Sequence, residues 1–394
     1  KGLRRIIVDE VPDPLVIPHH VVVRPVYTLI SSRTETASIH QEAILKEVAG
    51  NPSHLQKVWS ALKVNGPGRT FQKVKAKFSE YAVLGYSGAG IVVDRHPTVQ
   101  DLDIGQRVAY GGEGAGHAEY VLVGRNLVAR LPDSIPFEHG CFAALGSIAL
   151  NAVRIAAITI GDVVAVIGLG LVGQLICQLV RCQGGRVIAI DLRPERLELA
   201  RKLGAEHCLL AGDASPEAAN ALTAGNGADS VIIAAAAKSS APCLQALQVC
   251  RDRSRLVVVG AVDLSFPWEQ MYRKEIQLFM ARAYGPGSYD EKYEKQGQDY
   301  PLAYVRWTEN RNMEEFLRAV GEQRVRIQEI VTHEFSLDDA TKAYETILDP
   351  SSGSLGVVLR YPSPPCEPET TCLCMLESAR TLAPLNIDWE GVLS

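Results

Sequence analysis

The sequence predicts an α/β protein in which a doubly wound parallel sheet is joined to a β-rich domain. From about residue 146, short β-branched runs alternate with helical segments: Val163–Ile167, Arg186–Ile190, Ser230–Ile233, Leu256–Val259 and Glu275–Met280. Strands separated by helices in this way pair in parallel. Before that point the rhythm is different. Val21–Tyr27, Gly90–Val93 and Tyr120–Val123 read as strands, each near glycine or polar turn residues. A chain of 394 residues exceeds one ordinary domain, so two or three are expected.

The remaining elements follow in order. Residues 40–80 carry apolar residues at helical spacing, broken at Asn65-Gly66-Pro67-Gly68, which predicts two helices inserted into the β-rich part. Gly105-Gln106-Arg107-Val108 reads as a turn, and the glycine-rich run Gly111–Gly116 as a loop. Residues 284–312 are polar and Tyr-rich and end the alternation. A helix near 312–321 follows, then another near 337–348, where Ser336 caps an acidic first turn. Gly356–Leu359 reads as a closing strand. The chain thus divides into a β-rich domain over 1–145, an α/β domain over 146–283, a return segment over 284–360 and a tail over 361–394.

Composition narrows the function. Hydrophobic residues make up 47% and charged residues 22%, the balance of a globular protein, and the net charge of −5 offers nucleic acid no basic footprint. No run of about 18 uncharged apolar residues occurs, so no membrane span is expected. The nine Cys are scattered and mostly within apolar stretches. They read as reduced thiols rather than a disulfide framework, and a cytoplasmic enzyme is the expectation.

The motif with the most chemistry is Gly168-Leu169-Gly170-Leu171-Val172-Gly173. It follows a buried-strand pattern, Val163–Ile167, and precedes a helix pattern, Gln174–Val180. Gly168 permits the tight turn, Gly170 lets the backbone approach a pyrophosphate, and Gly173 lets the helix pack close to the strand. The helix N-terminus then offers the phosphates unpaired N–H groups. This is a Rossmann dinucleotide fingerprint. The next strand ends at Asp191, where a carboxylate can accept the hydroxyls of the adenosine ribose. That charge repels a 2′-phosphate by about 4 kcal/mol at about 4 Å and an effective dielectric of about 20. NAD is therefore favoured over NADP. Arg193 and Arg196 lie close enough to accommodate a phosphate and work the other way.

The order of domains resembles the medium-chain dehydrogenase/reductase superfamily. The resemblance spans roughly residues 15–360 and rests on Asp103–Val108, Gly116–Val121 and Gly161–Gly173. Leu84–Gly90, Tyr284–Asp290 and Tyr304–Asn310 further resemble the dehydrogenase-like half of bidomain oxidoreductases. The resemblance implies a GroES-like catalytic domain and, by analogy, a homodimer or homotetramer joined through the strand near 275–281. Zinc-containing relatives carry metal ligands at positions that match Ser32, Tyr86 and Ala143. None of these is a Cys, His or carboxylate, which catalytic zinc needs three of. The expectation is a zinc-independent site.

The same resemblance places the first three candidate residues for the chemistry, and the residues themselves suggest the others. Arg33 falls where relatives bind the pyrophosphate, and Thr34 where a hydroxyl relays the substrate proton. Tyr86 takes the place of a zinc ligand, from which its phenol could hydrogen-bond a substrate carbonyl. Glu113 and His117 are acid/base candidates, and Glu35 reads as a buried hydrogen-bond partner. Tyr284, Tyr289, Arg306 and Trp307 suit a polyhydroxylated or anionic substrate. The reaction expected is hydride transfer between nicotinamide and a secondary alcohol or ketone of a sugar, cyclitol or related metabolite. Reduction of an activated C=C bond and cofactor binding without turnover are the alternatives.

Overall fold

A computed structural model describes residues 6, 8, 10–31, 35 and 83–362. The helical insertion expected at 40–80 and the tail beyond 362 lie outside the described residues.

The chain opens with strands β1 (His20–Ile30), β2 (Ser87–Arg95), β3 (Arg107–Gly111), β4 (Val121–Gly124) and β5 (Val128–Arg130). β3 corrects the turn expected at Gly105–Val108. The turn is Ile104–Gly105, with Gly105 at φ +87°, and Arg107 already pairs with Ile91 of β2. Two helices follow, α1 (Phe137–Gly140) and α2 (Ala143–Ala156).

Next come β6 (Val163–Ile167), α3 (Leu171–Cys182), β7 (Arg186–Asp191), α4 (Pro194–Lys202), β8 (His207–Leu210), α5 (Pro216–Leu222), β9 (Ala228–Ile233), α6 (Ala241–Val249), β10 (Cys250–Val258), α7 (Trp268–Arg273) and β11 (Gln277–Met280). The six strands form one parallel sheet in the order β11-β10-β9-β6-β7-β8. Every residue of β6 is buried, as a central parallel strand covered on both faces must be. The order reverses between β6 and β9, and in such sheets the crevice that takes ligands lies at the carboxyl ends of the two strands flanking the reversal.

The chain returns through α8 (Glu291–Glu294), α9 (Glu309–Gly321), β12 (Val331–Ser336), α10 (Ala340–Leu348) and β13 (Gly356–Arg360). β12 and β13 complete a second, seven-stranded sheet ordered β12-β13-β1-β2-β3-β5, with β4 paired to β1. Ser336 caps as expected: its Oγ accepts the Asp339 N–H. One large apolar cluster joins α2, α3 and α9, with Leu145, Ile176 and Phe316 all at or below 1% exposure. At about 1.5–3 kcal/mol per buried side chain of this size, that packing is what fixes α9 and the segment before it.

Candidate active site

The crevice is built from backbone. Gly168 leaves β6 at φ +91°, a conformation open to glycine. A Cβ there would lie 2.4 Å from the Ala235 nitrogen in the loop after β9. A Cβ on Gly173 would lie 1.9 Å from the Gly168 carbonyl oxygen. Both are far inside contact distance, so α3 can sit this close to the turn only with hydrogen at those positions. Gly170 precedes the helix, no side chain caps it, and the first N–H groups of α3 face the crevice mouth. The nearest side-chain atom to a Gly170 Cβ is an Arg196 guanidinium nitrogen, 3.9 Å away. A pyrophosphate fits this cradle.

Asp191 ends β7 and is buried. Its Oδ2 accepts the Leu169 N–H at 2.6 Å and its Oδ1 the Arg193 N–H at 2.9 Å. The carboxylate thus ties the glycine turn to the start of α4, and each oxygen keeps a lone pair for a ribose hydroxyl. Gln174 adds a second tie. Its amide donates to the Arg196 carbonyl at 2.8 Å from a fully buried position.

A second cluster gathers around Glu35, which is 4% exposed. Its Oε1 accepts the Ser31 N–H at 2.7 Å. Its Oε2 accepts the Tyr344 hydroxyl of α10 and lies 3.2 Å from His117 Nε2. His117 Nδ1 is 2.8 Å from Thr28 Oγ1, which meets the Tyr361 hydroxyl at 3.2 Å. The Tyr86 hydroxyl donates to Ser31 Oγ at 2.7 Å. Burial, reinforced by Glu35, holds the Tyr344 phenol far above its ordinary range, and burial does the same to Tyr361. Both stay protonated.

Tyr284 lies beside Tyr86, with ring centroids 6.5 Å apart. Desolvation, then the neighbouring Tyr86 and Glu309, pushes its phenol well above the usual value. It too remains a donor at neutral pH.

Comparison with known proteins agrees with this geometry. The family model described as zinc-binding dehydrogenase matches residues 172–295. The protein named Probable D-xylulose reductase A, from Arthroderma otae, is 28% identical over 308 residues, covering 68% of this chain and 78% of the relative. D-xylulose reductase from Saccharomyces cerevisiae is 26% identical over 305 residues, covering 67% and 77%. Galactitol-1-phosphate dehydrogenase from Escherichia coli shares the fold, with a TM-score of 0.68 at 18% identity over 90% of this chain and 96% of that one. The chain belongs to the medium-chain dehydrogenase/reductase superfamily. It is an oxidoreductase.

Within this medium-chain enzyme the candidates divide. Gly168, Gly170, Leu171, Val172, Gly173, Asp191, Arg193 and Arg196 meet around one crevice. Tyr86 and His117 share the Glu35 cluster, and Tyr284 adjoins it. Arg33 and Thr34 lie outside the described residues. Glu113 stands apart: it is exposed and pairs with Lys295 at 3.0 Å, an ordinary surface ion pair. Tyr289 is exposed with the Arg282 guanidinium 4.7 Å over its ring. Trp307 is held between two guanidiniums, Arg154 at 3.4 Å and Arg306 at 3.8 Å from its centroid, so both of its faces are already covered.

Sequence reasoning missed Thr28, Tyr344, Tyr361, Asn151, Asn312 and Glu309. Local signals existed for two of them. Asn151 interrupts an apolar helix run, and Glu309 opens a helix beside the Thr308 cap. Nothing local marked Tyr344, whose partner lies 309 residues away.

Proposed function

We propose that this chain is an NAD(H)-dependent oxidoreductase that interconverts a secondary alcohol and its ketone on a sugar, cyclitol or related polyol, without catalytic zinc. The observation that carries the reading is the buried Asp191 carboxylate fastened to the glycine turn, where it would accept ribose hydroxyls and repel a 2′-phosphate. The polyol class draws on the relatives, two of which are named D-xylulose reductase.

The donor set does not suit zinc. Tyr86 occupies the position of a metal ligand and gives its hydroxyl to Ser31. A nicotinamide cofactor held by the glycine turn and Asp191 would supply the hydride for reduction of the carbonyl carbon. The carbonyl oxygen takes the Tyr86 proton, with Tyr284 as the second phenol at the site. Arg33 would add a pyrophosphate contact and Thr34 a proton relay. The exposed edge strand β11, with Leu278 at 41% and Met280 at 56% exposure, supports assembly into a homodimer or homotetramer.

The test is a screen of polyols, cyclitols and their ketones for absorbance change at the nicotinamide band, with metal content measured on the same sample. Turnover with well under one zinc per chain is expected. Tyr86→Phe should then lower kcat by about 100-fold or more, the range for loss of a general acid. Full activity in Tyr86→Phe removes Tyr86 from the proton-donor role.

A further inference from the structure

The turn that carries Tyr284 is clamped by the first residues of α9. The Glu309 N–H donates to the Pro286 carbonyl at 2.9 Å. Asn312 Nδ2 donates to the Tyr284 carbonyl at 2.9 Å, and Asn151 Nδ2 to the Arg282 and Ala283 carbonyls, each at 3.3 Å. Ser288 Oγ lies 3.1 Å from Glu309 Oε2. Gly287, at φ +106°, lies so close that a Cβ there would be 3.1 Å from Glu309 Oε1.

Glu309 is wholly buried, and its Oε1 has no hydrogen-bond partner. A carboxylate oxygen in that position would carry charge with nothing to satisfy it, at high cost. A neutral acid resolves the difficulty. In the ionised form Ser288 Oγ donates to Oε2; once Oε2 is protonated that bond turns round, Oε2–H donating to Ser288 Oγ, and Oε1 becomes a carbonyl oxygen, far cheaper to leave unpaired. No cation faces it. From α8 come Glu294, itself buried with Oε1 accepting the Tyr289 N–H at 2.7 Å, and the Tyr293 phenol. Arg282 from the turn lies over the Tyr289 ring. On α9, Arg311 is committed to Asp299 and to the Val305 carbonyl. On α2, Arg154 donates to Asn312 Oδ1 at 3.0 Å and covers Trp307.

We propose that Glu309 is a positioning residue that works as a neutral carboxylic acid, clamping the Tyr284–Asp290 turn onto α9 and so holding Tyr284 beside Tyr86. Ionisation of Glu309 weakens the clamp. The proposal rests on the reading above only where it assigns Tyr284 to the substrate; the clamp itself does not. Burial first, and Glu294 second, push the Glu309 carboxyl up to about 8, with Ser288 opposing. The clamped state therefore favours the protonated acid, whereas an opened turn returns it to the ordinary carboxylate range. The clamp is at full strength below that range, weakens as pH rises through it, and is weakest above about 8.

The experiment is amide hydrogen exchange on the full chain from about pH 6 to about pH 8, corrected for intrinsic exchange rates and read at Ser288, Asp290 and Glu309. In the wild type, protection should fall by about tenfold or more across that range. In Glu309→Gln, which keeps the shape without the titration, it should stay flat. Glu294→Gln should shift the fall without abolishing it. A flat wild-type profile, or an unchanged slope in Glu309→Gln, overturns the clamp. With an active substrate in hand, KM should rise toward alkaline pH in the wild type and not in Glu309→Gln, with kcat moving less. A KM rise that persists in the variant overturns the positioning role. If no substrate is found, exchange still decides the clamp, so its failure and that of the proposed reaction are told apart.

Discussion

The dinucleotide crevice and the Glu35 cluster are built in opposite ways. The crevice is made of main chain: glycines with no room for a Cβ, unpaired helix amides, and a carboxylate whose present partners are backbone N–H groups. The Glu35 cluster is made mostly of side chains brought from β1, from the loops on either side of β2 and β3, from α10 and from the end of β13. The first is a shape and the second is a set of matched donors and acceptors. A shape fails when an atom is added, and a matched set fails when one is taken away.

That contrast predicts two opposite phenotypes. The larger effect belongs to Glu35→Ala. It strands the Ser31 N–H, the Tyr344 hydroxyl and His117 in a dry environment, at about 1–3 kcal/mol for each unsatisfied group. A loss of about 4 kcal/mol in unfolding free energy is expected by denaturant titration, with NADH affinity falling far less than in a glycine-cradle variant, because the glycine turn and Asp191 are untouched and only the segment carrying Arg33 is loosened. Gly173→Ala should behave in reverse. Its methyl must push α3 off the Gly168 carbonyl, a local displacement costing about 1–3 kcal/mol, and NADH binding should weaken by about 10–100-fold. If both substitutions lower stability and affinity alike, the two regions are one cooperative unit and the contrast is wrong.

The same contrast explains what the sequence made legible. The crevice was readable because its parts are consecutive: a strand, three glycines and a helix, with the acid at the end of the next strand. The parallel sheet was readable for the same reason, since β6, β7 and β9 are short apolar runs that declare themselves. The Glu35 cluster was only half readable. Tyr86 stood out because it matches a metal-ligand position of the resembled family, and His117 because it lies beside the glycine-rich run. That Glu35 joins them depends on chain segments 82 and 309 residues distant, and no local period encodes that. Glu309 was hidden differently: beside a Thr cap it looks like an ordinary first-turn acid favoured by the helix dipole, and only the turn folded over it removes it from water. Glu113 is the converse, a promising acid in a glycine-rich loop whose side chain points into solvent toward Lys295.

The smallest predicted effect is the most discriminating. In Asp191→Ala the repulsion toward a 2′-phosphate disappears, while Arg193 and Arg196 remain beside the site. Burial lowers the Arg196 pKa, with nearby Asp191 opposing and Arg193 reinforcing that fall, so removing Asp191 leaves two cations free to attract phosphate. The substitution also releases the Leu169 and Arg193 N–H groups, which loosens the turn for both cofactors equally. Absolute affinities should therefore fall for NADH and change little for NADPH. The proposed preference for NADH should narrow by about tenfold, equivalent to about 1.4 kcal/mol. Paired fluorescence titrations with the two reduced cofactors measure it. A wild-type preference for NADPH, unchanged in the variant, would mean that Asp191 serves the turn alone and that the arginines choose the cofactor.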